Sequence, residues 1–394
     1  MPSYYARLCD KSLLRAAWKK ISKTNKFSRG FDRVTIEEFA AHLDENLESL
    51  ARNLKSRDFH FIPARGVLLD KEGGKKRPIK VPAVRDRVVL KAVQLIIAHR
   101  FEKYNLPCSY GYVENRSVAD AIRAVRQLKV AGLKWVLEGD ISHFFDTVNR
   151  DLLIQRFIRE IRARSLLELL EEALQVEIGN AEDFSPDDRE LFPAGDSGIP
   201  QGGVLSPMLA NFYLYDFDTA LTDAGYRLVR YADDFVVMCA TEREAELAFD
   251  LCKEVLENRL GLKIHDLRSP NSKSKITLYS KGFTFLGIRF EGEKIYPSPK
   301  SIKRFEAKIA EIANPEKGRN LLETLTKLRN LLVGWGKAYS SCDTERYFQE
   351  LDQFVNNSIS SFLRSYGFLK PGVLLGKKQR KLLGIPSLMS IRKN

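Results

Sequence analysis

Cysteine is scarce and scattered, with five residues in 394 (Cys9, Cys108, Cys239, Cys252, Cys342) and no C-x-x-C pair. That spacing points away from a cysteine-ligated zinc site or a disulfide framework and leaves reduced thiols as the plain reading. Histidine is as sparse, five residues without ligand spacing. No run approaches the roughly 18 uninterrupted apolar residues of a membrane helix, and the N-terminus lacks the apolar core of a signal peptide. A cytoplasmic protein without a membrane partner is therefore expected. Internal repeats and low-complexity linkers are missing as well.

Positive charge, in contrast, is abundant and unevenly placed. The formal net charge is +13, from 64 Lys and Arg against 51 Asp and Glu. Residues 1–30 hold eight Lys/Arg against one Asp, and residues 300–394 hold eighteen against eight Asp/Glu. The ends thus carry +7 and +10 and the middle about −4. Basic poles around a mildly acidic centre suit a protein that grips a polyanion at both ends and keeps carboxylates between them. A solvated lysine-rich surface is the alternative. The length allows two or three domains with ordinary cores.

Leu13, Leu14, Ala17, Trp18 and Ile21 recur at helical spacing beside a basic face, which predicts an amphipathic helix turned toward nucleic acid. Thr35 and Glu38 form a capping-box pattern for a helix whose stripe runs from Ile36 through Phe39, Leu43, Leu47 and Leu50 to Leu54. Between 61 and 81, short strands flank Asp70-Lys71-Glu72-Gly73-Gly74-Lys75-Lys76-Arg77-Pro78. A cationic flap closing on a triphosphate competes there with a solvated turn. Helices are predicted over 85–104 and, capped by Ser117, through 128. Leu133 to Leu137 reads as a strand delivering Asp140. Gly198 to Gly203 is a flexible loop feeding a helix with Ser206 as N-cap and Pro207 at its first position. Leu228 to Tyr231 and Phe235 to Ala240 are strands joined at a tight turn. A helix capped by Thr241 and a single strand from Phe283 to Phe290 follow.

Two adjacent carboxylates, Asp233 and Asp234, on a hairpin would alone mean a turn facing water. Asp140, at the end of another apolar run, adds a third carboxylate at a neighbouring strand end, which is what hard Mg2+ ions and nucleotide phosphates require. Strand, helix, hairpin, helix and strand in that order make a split βαβ arrangement, a ferredoxin- or RRM-like sheet with helices on one face. Its first strand lies beside the hairpin, so Asp140 is expected near Asp233. After Pro299 the composition turns helical and basic, with Leu321, Leu322, Leu325, Leu328, Leu331 and Leu332 as a stripe.

Taken in register, Asp140 with Phe145, Gln201-Gly202 with Ser206-Pro207 and Asn211, Tyr231-Ala232-Asp233-Asp234, Lys273, and Phe285-Leu286-Gly287 resemble the palm motifs of a reverse transcriptase of the bacterial group II intron-like lineage. Gly30 to Thr35, Arg77-Pro78-Ile79 with Val84 to Val89, and Gly334-Trp335 opening a helical region extend the resemblance from about residue 12 to about 365. It implies an α+β right-hand polymerase: an N-terminal extension and fingers over 1–134, an antiparallel palm over 135–299 with 160–200 partly fingers, and a basic helical thumb or maturase-like region over 300–394. The implied activity is RNA-directed DNA polymerisation, with dNTPs added to a primer 3′-hydroxyl on two Mg2+ ions, for which Mn2+ substitutes.

By that resemblance Asp140, Asp233 and Asp234 are catalytic, and with Ile141 they hold the metals. Lys75, Arg77, Phe145, Gln201 and Lys273 meet the nucleotide, Phe145 as the bar to a 2′-hydroxyl and Lys273 neutralising or protonating the leaving group. Phe285-Leu286-Gly287 resembles a primer grip, and Lys377, Lys378, Arg380 and Lys381 track the template–primer backbone. The implied partners are an RNA template, a DNA or RNA primer, and a cognate noncoding or intron RNA. Where intron relatives carry Ser-Tyr-Gly-Phe-Arg-Pro-Gly-Arg-Ser, this sequence has Ser109-Tyr110-Gly111-Tyr112-Val113-Glu114-Asn115-Arg116-Ser117, and no Cys/His-bearing endonuclease segment follows. The missing segment argues against intron mobility by target cleavage, and the altered loop leans toward a stand-alone enzyme working on its own noncoding RNA, as in retron-like, CRISPR-associated or phage-defence (antiviral) reverse transcriptases. The alternative is a group II intron maturase that acts chiefly by binding and splicing intron RNA.

Overall fold

The computed structural model describes residues 3–23, 28–70, 74–192, 195, 197–269, 272–318 and 320–392, with the side chains of Lys377 and Arg392 outside that description. Local signals place the first helices. Thr35 Oγ1 accepts the Glu38 N–H while the Thr35 N–H donates to the Glu38 carboxylate, starting the helix Ile36–Ala41. Helices Lys11–Ile21, Leu43–Ser56 and Val84–Phe101 bury their apolar stripes in one core. The basic face of Lys11–Ile21 is partly neutralised within the fold, because Lys11 pairs with Glu48 at 2.8 Å and Arg15 with Asp44.

Strands β1 (Arg65–Asp70) and β2 (Lys76–Val81) form an antiparallel hairpin, Asp70 opposite Lys76. Residues 71–73 of the cationic flap lie outside the described residues. The central sheet follows, built from β3 (Trp135–Ser142), β4 (Arg227–Tyr231), β5 (Asp234–Cys239), β6 (Lys263–Ile264) and β7 (Lys275–Leu278). Its order is β4-β5-β3, with β6 and β7 both antiparallel to β3 on the far side, as a split βαβ unit requires. β3 continues past Asp140 to Ser142, so this carboxylate sits within the strand.

Alternation along the strands feeds two interiors. Leu137, Phe235, Val237 and Cys239 share a core with the helices Ser206–Asp223 and Glu242–Lys253. Val136, Val229, Val236 and Met238 face the helix Val118–Val130 and a second sheet. Both faces are thus covered, whereas the expected sheet had helices on one face. The segment expected as a single strand is a hairpin, β8 (Phe283–Phe285) and β9 (Ile288–Glu291), reversing at Leu286 and Gly287, whose φ values are 52° and 77°. β10 (Lys294–Pro297) completes that sheet.

Helices Pro299–Ile312, Leu321–Ala338 and Glu345–Ser365 enclose a separate core of Phe305, Ile309, Leu328, Leu332, Phe348 and Val355 among others. Leu322 of the predicted stripe is 76% exposed instead. Gly334-Trp335 does not open a helix; it lies near the end of Leu321–Ala338, with Trp335 stacked on Phe305 at 4.4 Å. Ser206 is the first residue of its helix, not the cap, and its Oγ donates to the Pro200 carbonyl at 2.6 Å. Among the described residues no helix is long and apolar enough to cross a membrane.

Candidate active site

The β3–β5 register sets Asp140 opposite Asp234, not opposite Asp233. Tyr231 and Asp234 form the last pair of the β4–β5 hairpin, so Ala232 and Asp233 make the turn. Ala232 has φ 59°, a left-handed conformation that costs a non-glycine residue on the order of 1–3 kcal/mol. The loop from Cys108 runs alongside β4, Tyr110 N–H donating to the Arg230 carbonyl and Arg230 N–H to the Cys108 carbonyl, each at 2.8 Å. At Gly111 that loop lies so close to the turn that a Cβ would fall 2.3 Å from the Ala232 nitrogen.

Asp140 Oδ2 meets two nitrogens, Lys273 Nζ at 3.1 Å and His265 Nε2 at 3.1 Å. Lys273 is where the motif order places it. His265 is an addition with no sequence signal: it follows β6, and only the pairing of Ile264 with Ile141 carries it to Asp140. The Asp234 carboxyl reaches solvent yet is hemmed in by protein mass. That crowding first, then the charges of Asp233 and Asp140, push its pKa up to about 6, against a lowering pull from Lys273. Tyr112 (φ 62°) is half-exposed beside the turn. Burial first and Asp233 next raise its hydroxyl pKa, while Arg77 pulls it back, so loop, turn and flap meet around this ring.

Among the described residues no three His, Cys, Asp or Glu side chains already converge as a metal cage. The fit to a hard divalent cation lies in the donor chemistry: carboxylate oxygens at neighbouring positions, with the charges of Asp233 and Asp140 both raising the pKa of Asp234. Ile141 can add only its main-chain oxygen, because its side chain is apolar and buried.

On the nucleotide side, Arg77 Nε donates to Gln201 Oε1, and Gln201 Nε2 donates to Asp146 Oδ1 at 3.0 Å. The structure thus joins the flap, the glycine loop and the segment after β3. Lys75 is exposed on the same hairpin. Phe145 is buried, edge-on to Phe144 at 5.2 Å, and its carbonyl accepts the Ile199 N–H at 2.7 Å. Gly202 (φ 96°) lies against Ile79 and Lys80, so the close approach it permits here is to β2. The buried Arg150, which motif reasoning missed, holds the loop by donating to the Gly198 carbonyl at 2.6 Å. Phe285-Leu286-Gly287 occupies the β8–β9 turn, with Phe285 buried in the second core and Gly287 against Ser301 and Tyr339.

The thumb cations divide. Lys378 and Lys381 are exposed, and the side chain of Lys377 lies outside the described residues. Arg380 departs from the expected role: it is buried, paired with Asp352 at 2.7 Å, and donates to the carbonyls of Asp352 and Pro386. A guanidinium buried in this way, with both terminal nitrogens held by these acceptors, is not open to a phosphate.

Residues 69–290 match the family described as reverse transcriptase (RNA-dependent DNA polymerase), and residues 302–365 match the group II intron, maturase-specific domain. Protein YkfC of Escherichia coli (strain K12) is 32% identical over 357 residues, covering 80% of this chain and 88% of YkfC. The group II intron-encoded protein LtrA of Lactococcus lactis subsp. cremoris is 29% identical over 176 residues, 44% of this chain and 28% of LtrA. A solved partial Cas6-RT-Cas1–Cas2 complex aligns with 66% of this chain and 42% of its own at 25% identity and a TM-score of 0.39. With a polymerase match over more than half its length and a maturase-specific match directly behind it, the chain belongs to the reverse transcriptases, RNA-dependent DNA polymerases, of the group II intron-like lineage.

Proposed function

We propose that this chain extends a primer 3′-hydroxyl with dNTPs along an RNA template in the cytoplasm, using Asp140, Asp233 and Asp234 as its catalytic carboxylates. The observation that carries the reading is the register placing Asp140 opposite Asp234, at the foot of the turn that holds Asp233. Two Mg2+ ions, or Mn2+ in their place, held by these carboxylates and the Ile141 main chain, would supply Lewis-acid activation of the 3′-hydroxyl and charge neutralisation at the triphosphate. Attack of the 3′-oxygen on the α-phosphorus breaks the α–β bond and frees pyrophosphate. Arg77 and Lys75 bind the phosphates from the flap, and Gln201, steadied by Arg77 and Asp146, orients the incoming nucleotide. Phe145 excludes the 2′-hydroxyl. Lys273 Nζ, beside Asp140 at 3.1 Å, neutralises or protonates the leaving pyrophosphate.

Replacing Asp233 with Asn is expected to abolish primer extension on RNA with Mg2+ while RNA binding stays near the parent level. Extension that survives would sink the assignment. The maturase-specific match favours a second role, in which the thumb binds a structured intron RNA. The altered 109–117 loop favours instead a noncoding RNA copied in antiviral defence. Sequencing the RNA that purifies with the chain from its native host decides between them.

A further inference from the structure

Arg230 sits in β4, two residues before Ala232, and is fully buried at 0% exposure. Its guanidinium carries five N–H donors, and five hydrogen bonds leave it. Nε and Nη2 grip Asp218 at 2.6 and 2.5 Å. Nη1 donates to Asn211 Oδ1 at 3.1 Å and to the Ala232 carbonyl at 2.9 Å. Nη2 also donates to Ser109 Oγ at 2.9 Å. Asn211 in turn donates to the Gly111 carbonyl at 2.9 Å. Asp218 is likewise at 0% exposure, so neither charge is tolerable without the other.

Its neighbours Leu228 and Val229 show that apolar residues fill this strand where packing is all that is needed. Arg230 does something packing cannot. It reaches along the chain to fix the carbonyl of a residue at φ 59°, and that residue immediately precedes Asp233. On the same guanidinium it collects the helix Ser206–Asp223 and the 109–111 loop, the two bodies that flank the turn.

We propose that Arg230 and Asp218 are positioning residues for the polymerase chemistry: the pair holds the strained Ala232 turn and thereby sets where the Asp233 carboxylate stands. The inference rests on Asp233 being a catalytic carboxylate. Its consequence is that the pair acts on turnover and metal affinity, not on nucleotide or RNA binding.

The test is the full-length double variant Arg230→Met with Asp218→Leu, because a buried ion pair replaced by apolar residues of similar volume generally leaves a fold intact. It is expected to keep the parent Tm and primer–template affinity and the KM for dNTP within about twofold, while kcat falls at least tenfold. Mn2+ alone, titrated onto the protein and followed by its electron paramagnetic resonance signal, is expected to bind correspondingly more weakly. A double variant whose kcat and Mn2+ binding equal the parent's overturns the proposal and makes the network a matter of fold alone. If the double variant does not fold, Arg230→Lys with and without Ala232→Gly replaces it. Glycine adopts positive φ without strain, so it should recover part of the turnover lost to lysine, and no recovery overturns the proposal. A parent that binds Mn2+ yet extends no primer would refute the polymerase reading, while the Mn2+ titration still judges the positioning role.

Discussion

Asp86 is a carboxylic acid inside the fold, 1% exposed, accepting the Ile62 N–H at 3.1 Å. Arg85 lies 3.2 Å away without the alignment of a hydrogen bond. Burial dominates and pushes its pKa up to about 7, with Arg85 pulling the other way. The native state therefore keeps a proton that the unfolded chain releases near 3.8, so this group's contribution to stability falls as pH rises from about 4 to about 7. Asp86→Asn should flatten that part of the profile, measured as Tm against pH; curves that stay parallel would refute the buried acid. Phe145→Ala tests another single side chain. Losing a buried ring costs roughly 3–5 kcal/mol, but that loss touches both substrates alike. The ratio of kcat/KM for ribonucleotide over deoxyribonucleotide is expected to rise by at least tenfold, and an unchanged ratio would reduce Phe145 to packing.

The loop from Cys108 and the β4–β5 hairpin form one unit, because Gly111 leaves no room for a side chain against Ala232. A methyl group at Gly111 meets backbone, which cannot swing aside. Gly111→Ala should therefore cost about 1–3 kcal/mol, read as a lowered Tm together with slower primer extension. Gly334→Ala is the opposite case: exposed in a helix with nothing within 4 Å of the added atom, it should stabilise by roughly 0.5–1 kcal/mol. Equal effects at the two sites would contradict the packing described. Elements with local signals were legible in sequence, such as the capping box at Thr35 and the helix cap at Ser117. The β8–β9 hairpin was not, because apolar residues continue through Leu286 and hide its reversal. Asp140, Asp233, Asp234 and Lys273 could be singled out from their motifs, whereas His265 and Arg230 could not. Their roles arise from strand pairing and from a helix crossing far off in sequence. Asn211 and Asp218, seven residues apart in an apolar helix, were the one hint of a buried partner.

Across the whole molecule the basic poles remain, but fewer cations than the count implies are open to a polyanion. Lys378→Gln with Lys381→Gln should flatten the plot of log affinity for primer–template against log salt by roughly 0.7–0.9 per lost contact, with shorter products per binding event and an unchanged fold. Arg380→Ala should act differently, leaving the mostly buried Asp352 without its cationic partner and destabilising the thumb by roughly 3–5 kcal/mol. A common effect from all three would mean that Arg380 does face the nucleic acid. The thumb and the rest of the chain also differ in when they can be completed. Phe101 packs on Phe212 at 4.8 Å, within an interior that runs from Tyr5 to Ile264. During synthesis the N-terminal helices emerge well before the palm residues that cover them, and an uncovered apolar face invites aggregation. The N-terminal helices therefore wait for the palm to complete their core, whereas the buried core around Phe305, Leu328, Leu332 and Phe348 draws on a single late stretch of sequence and can close as soon as that stretch has emerged.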